Sequence, residues 1–132
     1  MKEIKYANCF VCGENNPIGL KLSFDYSEDA AYTWFNSPVC FEGYNGVIHG
    51  GIIATLLDEA MAKIILSKDL IAVTADMNIR YRKSLPVGQR VKVGGEIILQ
   101  KTRTIHTKAV IEDEQGNVYA ESTAIYIVVK KL

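Results

Sequence analysis

The chain predicts an α+β fold in which one long helix is packed against strands that pair antiparallel. Three features of the sequence carry this. Between His49 and Ser67 the apolar residues Ile52, Ile53, Leu56, Leu57, Ala60, Met61, Ile64 and Ile65 recur at helical spacing, the only long helical pattern in the 132 residues. On both sides of it the period is two, as in half-buried strands. The connections between these runs are short, so most strand pairs must be antiparallel hairpins, and the single helix must bury its wide apolar face on the sheet.

The first alternation runs from Leu20 to Tyr26, with Leu20, Leu22, Phe24 and Tyr26 against Lys21, Ser23 and Asp25. Ser27-Glu28-Asp29 reads as its turn and Ala30 to Asn36 as the hairpin partner. Trp34 and the tyrosines read as core or interface residues. Upstream, Cys9 and Cys12 form a C-x-x-C before the turn-rich Gly13-Glu14-Asn15-Asn16-Pro17. One such pair supplies half of a structural zinc site, and Cys40 or His49 would have to complete it. A redox pair belongs at a helix start after a strand, which this context does not offer, so the two cysteines are expected to be small residues packing a turn.

Glu42-Gly43-Tyr44-Asn45-Gly46 is the turn-rich approach to the helix. Projected at roughly 100° per residue, the helix gathers its apolar residues on one broad face, with Thr55, Glu59 and Lys63 opposite. Glu59 and Lys63, one turn apart with the acid first, read as a solvated pair. Asp58 lies at the margin of the apolar stripe, and its helical neighbours include no base. A carboxylate short of solvent and without an evident partner is a candidate acid, base or nucleophile. Gly50 and Gly51 fall where the first helical N–H groups lack intrahelical acceptors and the helix dipole is positive. Without side chains they let a carbonyl oxygen approach, which makes them candidate oxyanion donors.

After the helix, Val73, Ala75, Met77, Ile79 and Tyr81 alternate with Thr74, Asp76, Asn78, Arg80 and Arg82, a strand with one apolar and one polar face. Thr74 opens the polar face near the helix start, where its hydroxyl can hold a water or a carbonyl. Arg80, Arg82 and Lys83 form the one local basic cluster, beside the turn Leu85-Pro86-Val87-Gly88. Three strands follow, Arg90 to Gln100, Thr104 to Glu112 and Val118 to Val129, and Gly94-Gly95 in the first of them suggests a bulge or bend. Asp113 to Asn117 is a hairpin loop and Lys130-Lys131-Leu132 a solvated tail.

The length suits one domain over residues 1–132. Lys plus Arg and Asp plus Glu balance at 15 each, so no global basic field recruits nucleic acid or an anionic membrane. No apolar run approaches a membrane span, and MKEIKYANC lacks the core of a leader peptide; the expected location is the cytoplasm.

The approach FEGYNGVIHGG followed by IIATLLDEAMA resembles the hotdog-fold thioesterases of the 4-hydroxybenzoyl-CoA and phenylacetate-degradation type. CFVCGENNPIGLKLSF resembles the opening of one branch of that superfamily, and DMNIRYRKSLPVGQ extends the likeness to nearly the whole chain. The resemblance implies a hotdog fold, one long central helix wrapped by a curved antiparallel sheet of five to six strands. It implies a homodimer, and a dimer of dimers beyond it, with each active site at the boundary between subunits. The implied reaction is hydrolysis of an acyl-CoA thioester to free acid and CoA, without a cofactor or metal. In that reading Gly50 and Gly51 donate N–H to the thioester oxygen, and Asp58 matches the family's helical carboxylate, as nucleophile or general base. His49 orients the leaving thiolate or the preceding loop, and Thr74 matches a hydroxyl that holds the water. Asn45 is the nearest amide to an auxiliary Asn or Gln that some relatives carry before the His, and Arg80, Arg82 and Lys83 meet the phosphates of the CoA. A sensor that binds acyl-CoA without turnover and a hotdog hydratase or dehydratase are the alternatives.

Overall fold

The computed structural model describes residues 3–132; the first two residues of the amino-terminal stretch read for a leader lie outside it. The elements, in chain order, are β1 (Asp25–Tyr26), β2 (Ala30–Phe35), a 3-10 turn (Val39–Phe41), α1 (Gly50–Leu66), β3 (Leu70–Tyr81), β4 (Val91–Gln100), β5 (Thr104–Glu112) and β6 (Val118–Lys131). The six strands form one antiparallel sheet in the order β1-β2-β4-β5-β6-β3, with β3 at the far edge. The sheet curls around α1, the architecture that the hotdog resemblance implies.

The core lies between them. Leu56, Leu57, Ala60, Met61 and Ile64 of α1 are fully buried against Val91 and Val93 of β4, Ile105 and Ile111 of β5 and Tyr126 of β6. Each fully buried Leu or Ile contributes about 1.5–3 kcal/mol by leaving water. Gly95 sets how closely helix and sheet approach, since a Cβ there would stand 2.6 Å from the Ala60 carbonyl carbon and oxygen. The expected bulge is not at Gly94-Gly95, whose pairing with β2 and β5 is regular; the irregularity lies between Ile97 and Leu99.

Four other expectations are corrected. The run from Leu20 is a strand only at Asp25–Tyr26. Lys21 sits at φ +55°, and Leu20 and Leu22 donate their N–H groups to Phe10 and Val11, which ties the segment to the cysteine turn instead of to a neighbouring strand. Lys63 is not solvated: it is 3% exposed, donates to the Ile4 carbonyl at 2.7 Å and pairs with Glu3 at 3.3 Å, because the amino-terminal segment covers that side of the helix. The carboxyl-terminal lysines are not a free tail, for Lys130 and Lys131 pair with Ile71 and Leu70.

The fourth correction concerns β3 and positions the site. A register shift between Thr74 and Asp76 interrupts the alternation. Thr74 therefore lies opposite Tyr126, on the helix side with Met77 and Ile79, and Val73 lies opposite Ile127 on the outer face. Thr74 does not belong to the polar face of Asn78 and Arg80. No helix among the described residues is long and apolar enough to cross a membrane.

Candidate active site

The loop into α1 is pinned before the helix begins. His49 N–H donates to the Phe41 carbonyl and Ile48 N–H to the Leu85 carbonyl, while Gly46, at φ +85°, donates to Glu42 Oε2 at 2.8 Å. His49 is the N-cap: its carbonyl accepts from Ile52 and Ile53, and its Nδ1 accepts from Gly51 N–H at 2.8 Å. That bond leaves the ring proton on Nε2, where an exposed imidazole can donate outward. It also removes Gly51 from the set of oxyanion donors, because its N–H is already spent within the chain. The N–H of Gly50 meets no acceptor among the described residues, and the Gly50 carbonyl accepts from Tyr81 OH at 2.9 Å.

Eight residues along the helix, Asp58 is partly buried and, contrary to the expectation from its helical neighbours, it has hydrogen-bond partners. Its Oδ1 accepts from Thr74 Oγ1 at 2.7 Å and from Tyr126 OH at 2.5 Å, and the same phenol lies 2.9 Å from the Asp58 carbonyl. Burial, then the hydrogen bond and charge of Asp58, holds the Tyr126 phenol well above its ordinary value, so it is a neutral donor. Both partners are thus uncharged hydroxyls, and no ion pair involves Asp58 among the described residues. They converge on Oδ1 and leave Oδ2 available.

β3 supplies both Thr74, against Asp58, and Tyr81, against the helix tip, so one edge strand brackets the first two turns of α1. Tyr81 and Tyr126 were not singled out from the sequence. A signal for Tyr126 existed: it falls among the inward residues Ala120, Ala124 and Val128 of β6, and a buried phenol needs a hydrogen-bond partner.

The structure does not bring the remaining candidates to this group. Asn45 is exposed at the tip of the approach loop. Arg80 and Arg82 line a groove of about 880 Å³ on the outer face of the sheet, together with Lys92 and Lys108, and Arg82 is held by Glu121 at 2.6 Å. Lys83 sits over the Tyr119 ring, 5.6 Å from its centre. No group of three metal-binding side chains forms around Asp58 among the described residues.

The sequence model described as the thioesterase superfamily matches residues 45–120, which takes in the helix, Asp58 and all of β3. The chain is 28% identical over 129 residues to the acyl-coenzyme A thioesterase THEM4 of Mus musculus, covering 96% of this chain and 56% of that protein. It thus spans little more than half the length of that relative. Among solved structures, a Streptococcus mutans protein bound to acetyl CoA superposes with a TM-score of 0.79 at 22% identity, over 83% of this chain and 90% of that one. PaaI of E. coli, from the phenylacetic acid degradation operon, superposes with a TM-score of 0.79 at 18% identity, over 85% and 82%. A hypothetical thioesterase of Streptococcus pneumoniae, with TM-scores of 0.78 and 0.79 at 20% identity over 83% of this chain and about nine-tenths of that one, was solved with a threonine and with an aspartate replaced by alanine. Those two positions lie 16 apart in that protein. These likenesses establish the fold.

Proposed function

The chain belongs to the thioesterase superfamily, and from that premise we propose that it hydrolyses an acyl-CoA thioester to the free acid and CoA at a site shared by two protomers. The observation that carries the reading is the Asp58 carboxylate, fixed through one oxygen by two neutral hydroxyls and free at the other. The free oxygen either takes a proton from the water that attacks the acyl carbonyl, or attacks that carbonyl itself to form an acyl anhydride that water then hydrolyses; on either route the C–S bond breaks and the thiolate leaves and takes up a proton. Asp58 and Thr74 are separated by 16 positions, the spacing of the aspartate and threonine altered in the Streptococcus pneumoniae thioesterase.

Gly50 N–H is the remaining donor at the helix tip, and it suits the developing oxyanion. It cannot serve the Asp58 of its own chain. Eight residues of helix put the two about 12 Å apart along the axis at roughly 1.5 Å per residue, whereas nucleophile and oxyanion donor must both lie about 3 Å from one carbonyl group. A second protomer resolves the mismatch, and β3 is the surface to receive it. This edge strand is 12 residues long, and Val73 and Tyr81 on it are more than half exposed. Such an edge calls for a pairing strand. Edge-to-edge pairing brings the helix tip of one chain toward the Asp58 of the other, with His49 Nε2–H placed to meet the leaving thiolate.

The test is a free-thiol assay over short, long, branched and aryl acyl-CoAs, with light scattering for the assembly state. The reading expects saturable thiol release by a dimer or larger assembly. Saturable binding without thiol release favours a sensor, and addition of water to an enoyl thioester favours a hydratase.

A further inference from the structure

One residue beyond Asp58, Glu59 turns to the side of α1 that the amino-terminal segment covers. There Cys9 Sγ lies 3.5 Å from Glu59 Oε2, and Cys9 Sγ, Cys12 Sγ and a Glu59 carboxylate oxygen all lie within 4.8 Å of one another. Neither Cys40, exposed on the 3-10 turn, nor His49, committed to Gly51, joins them.

The turn that aims the two sulfurs is fixed by its backbone. Cys12 N–H points at Cys9 Sγ at 3.4 Å, and Gly13 N–H donates to the Cys9 carbonyl at 2.9 Å. A Cβ on Gly13 would stand 2.4 Å from Cys9 N and 2.5 Å from the Ala7 carbonyl, so only glycine follows Cys12.

The donor set suits a thiophilic cation. Tetrahedral zinc, with bonds of about 2.3 Å to sulfur and about 2.0 Å to oxygen, sets sulfurs about 3.8 Å apart and sulfur about 3.5 Å from oxygen. Cys9 and Glu59 already stand at that second distance. Lys63 is the nearby positive charge: Glu3 pairs with it at 3.3 Å, and it also interacts with Cys12 and Glu59, so a bound cation would share this pocket with the ammonium. A cavity of about 180 Å³ borders Cys9, Cys12 and Glu59 and has room for a water as fourth ligand.

We propose that Cys9, Cys12 and Glu59 bind a thiophilic divalent cation, zinc in the first place, which fastens the amino-terminal segment to α1. The site stands whether or not Asp58 is catalytic.

The experiment uses the full chain, reduced and stripped by a chelator. It is titrated with Zn²⁺ against a chromogenic zinc indicator, and separately with Co²⁺. The expected result is one equivalent of zinc per chain and a cobalt spectrum with thiolate charge-transfer and tetrahedral bands. Cys9→Ser abolishes both, Glu59→Gln weakens zinc binding at least about tenfold, and Cys40→Ser changes neither. Absence of stoichiometric zinc and of the cobalt thiolate band in the reduced chain overturns the proposal, as does binding that survives Cys9→Ser. If Cys9→Ser does not fold, the unmodified chain and Glu59→Gln decide.

Discussion

Replacing Tyr126 by Phe removes a single oxygen from the site. The ring is 1% exposed and continues to fill its place in the core, so what disappears is the hydroxyl 2.5 Å from Asp58 Oδ1 and 2.9 Å from the Asp58 carbonyl. A hydrogen bond to a charged group contributes about 1.5–3 kcal/mol, which corresponds to about 10- to 150-fold in rate if the whole of it is realised in the transition state. Thr74 still holds Oδ1 at 2.7 Å, which places the expected loss at the lower end, about tenfold. Stability should fall by about 1–2 kcal/mol, since a partly buried acceptor loses its donor. The assay is thiol release, with kcat and KM measured separately for the best acyl-CoA. The loss should fall on kcat, with KM within about twofold, and it should be constant across neutral pH because the phenol stays protonated there. In an Asp58→Asn background the same substitution should cost less than about threefold, since a residue acting through Asp58 has nothing left to position. An undiminished kcat, or an equal loss in both backgrounds, refutes the assignment of Tyr126 as a positioning residue.

Three other substitutions separate the fold from the site. Gly50→Ala should leave stability intact, because its Cβ would meet nothing nearer than Tyr81 Cε1 at 3.7 Å, yet lower thiol release at least about tenfold by crowding the bare helix tip. Urea unfolding and kinetics on the same sample check both halves. Gly95→Ala should cost about 3 kcal/mol of stability, read from the urea midpoint, because its Cβ would collide with the backbone of Ala60 and Met61. Asp113→Asn should flatten the acid limb of the stability curve. The Asp113 carboxylate is held below its ordinary value of 3.8, first by the Asn117 side chain, then by the N–H groups of Asn117 and Gln115 and by Tyr119 OH. A depressed folded value means that the contribution is complete above 3.8 and vanishes as pH falls through the lower folded value. Unfolding followed from pH 7 down to 2 should therefore show a shallower decline in the variant.

The helix, the succession of strands on either side of it and the α+β class were legible because periodicity reports directly on which face is buried: Leu56, Leu57, Ala60 and Ile64 are spaced as their burial demands. Asp58, Gly50 and His49 could be picked out as candidates for the same reason, since helix termini and stripe margins can be read along the chain, whereas Thr74 was picked as the start of a polar face to which it does not belong. Long-range relations were not legible. Tyr126 meets Asp58 across 68 positions, and the shift at Ala75 that turns Thr74 inward leaves no mark on a sequence that alternates through it. Lys63 looked solvated because its cover, Glu3 and Ile4, comes from 59 or more positions away. Gly51 looked free because a ring nitrogen two residues back had not been counted as an acceptor. Arg80 and Arg82 illustrate the converse: a basic cluster is visible in sequence, but the sheet face it occupies is not, and that face is turned away from Asp58.

The most direct measurement is thiol release by Asp58→Asn. The amide is isosteric, and its oxygen can still accept from Thr74 and Tyr126, so only the charge and basicity of the second oxygen are removed. The account expects kcat to fall by at least about 10² while acyl-CoA binding, measured by calorimetry, stays within about twofold. Full hydrolytic rate in a folded Asp58→Asn protein contradicts it.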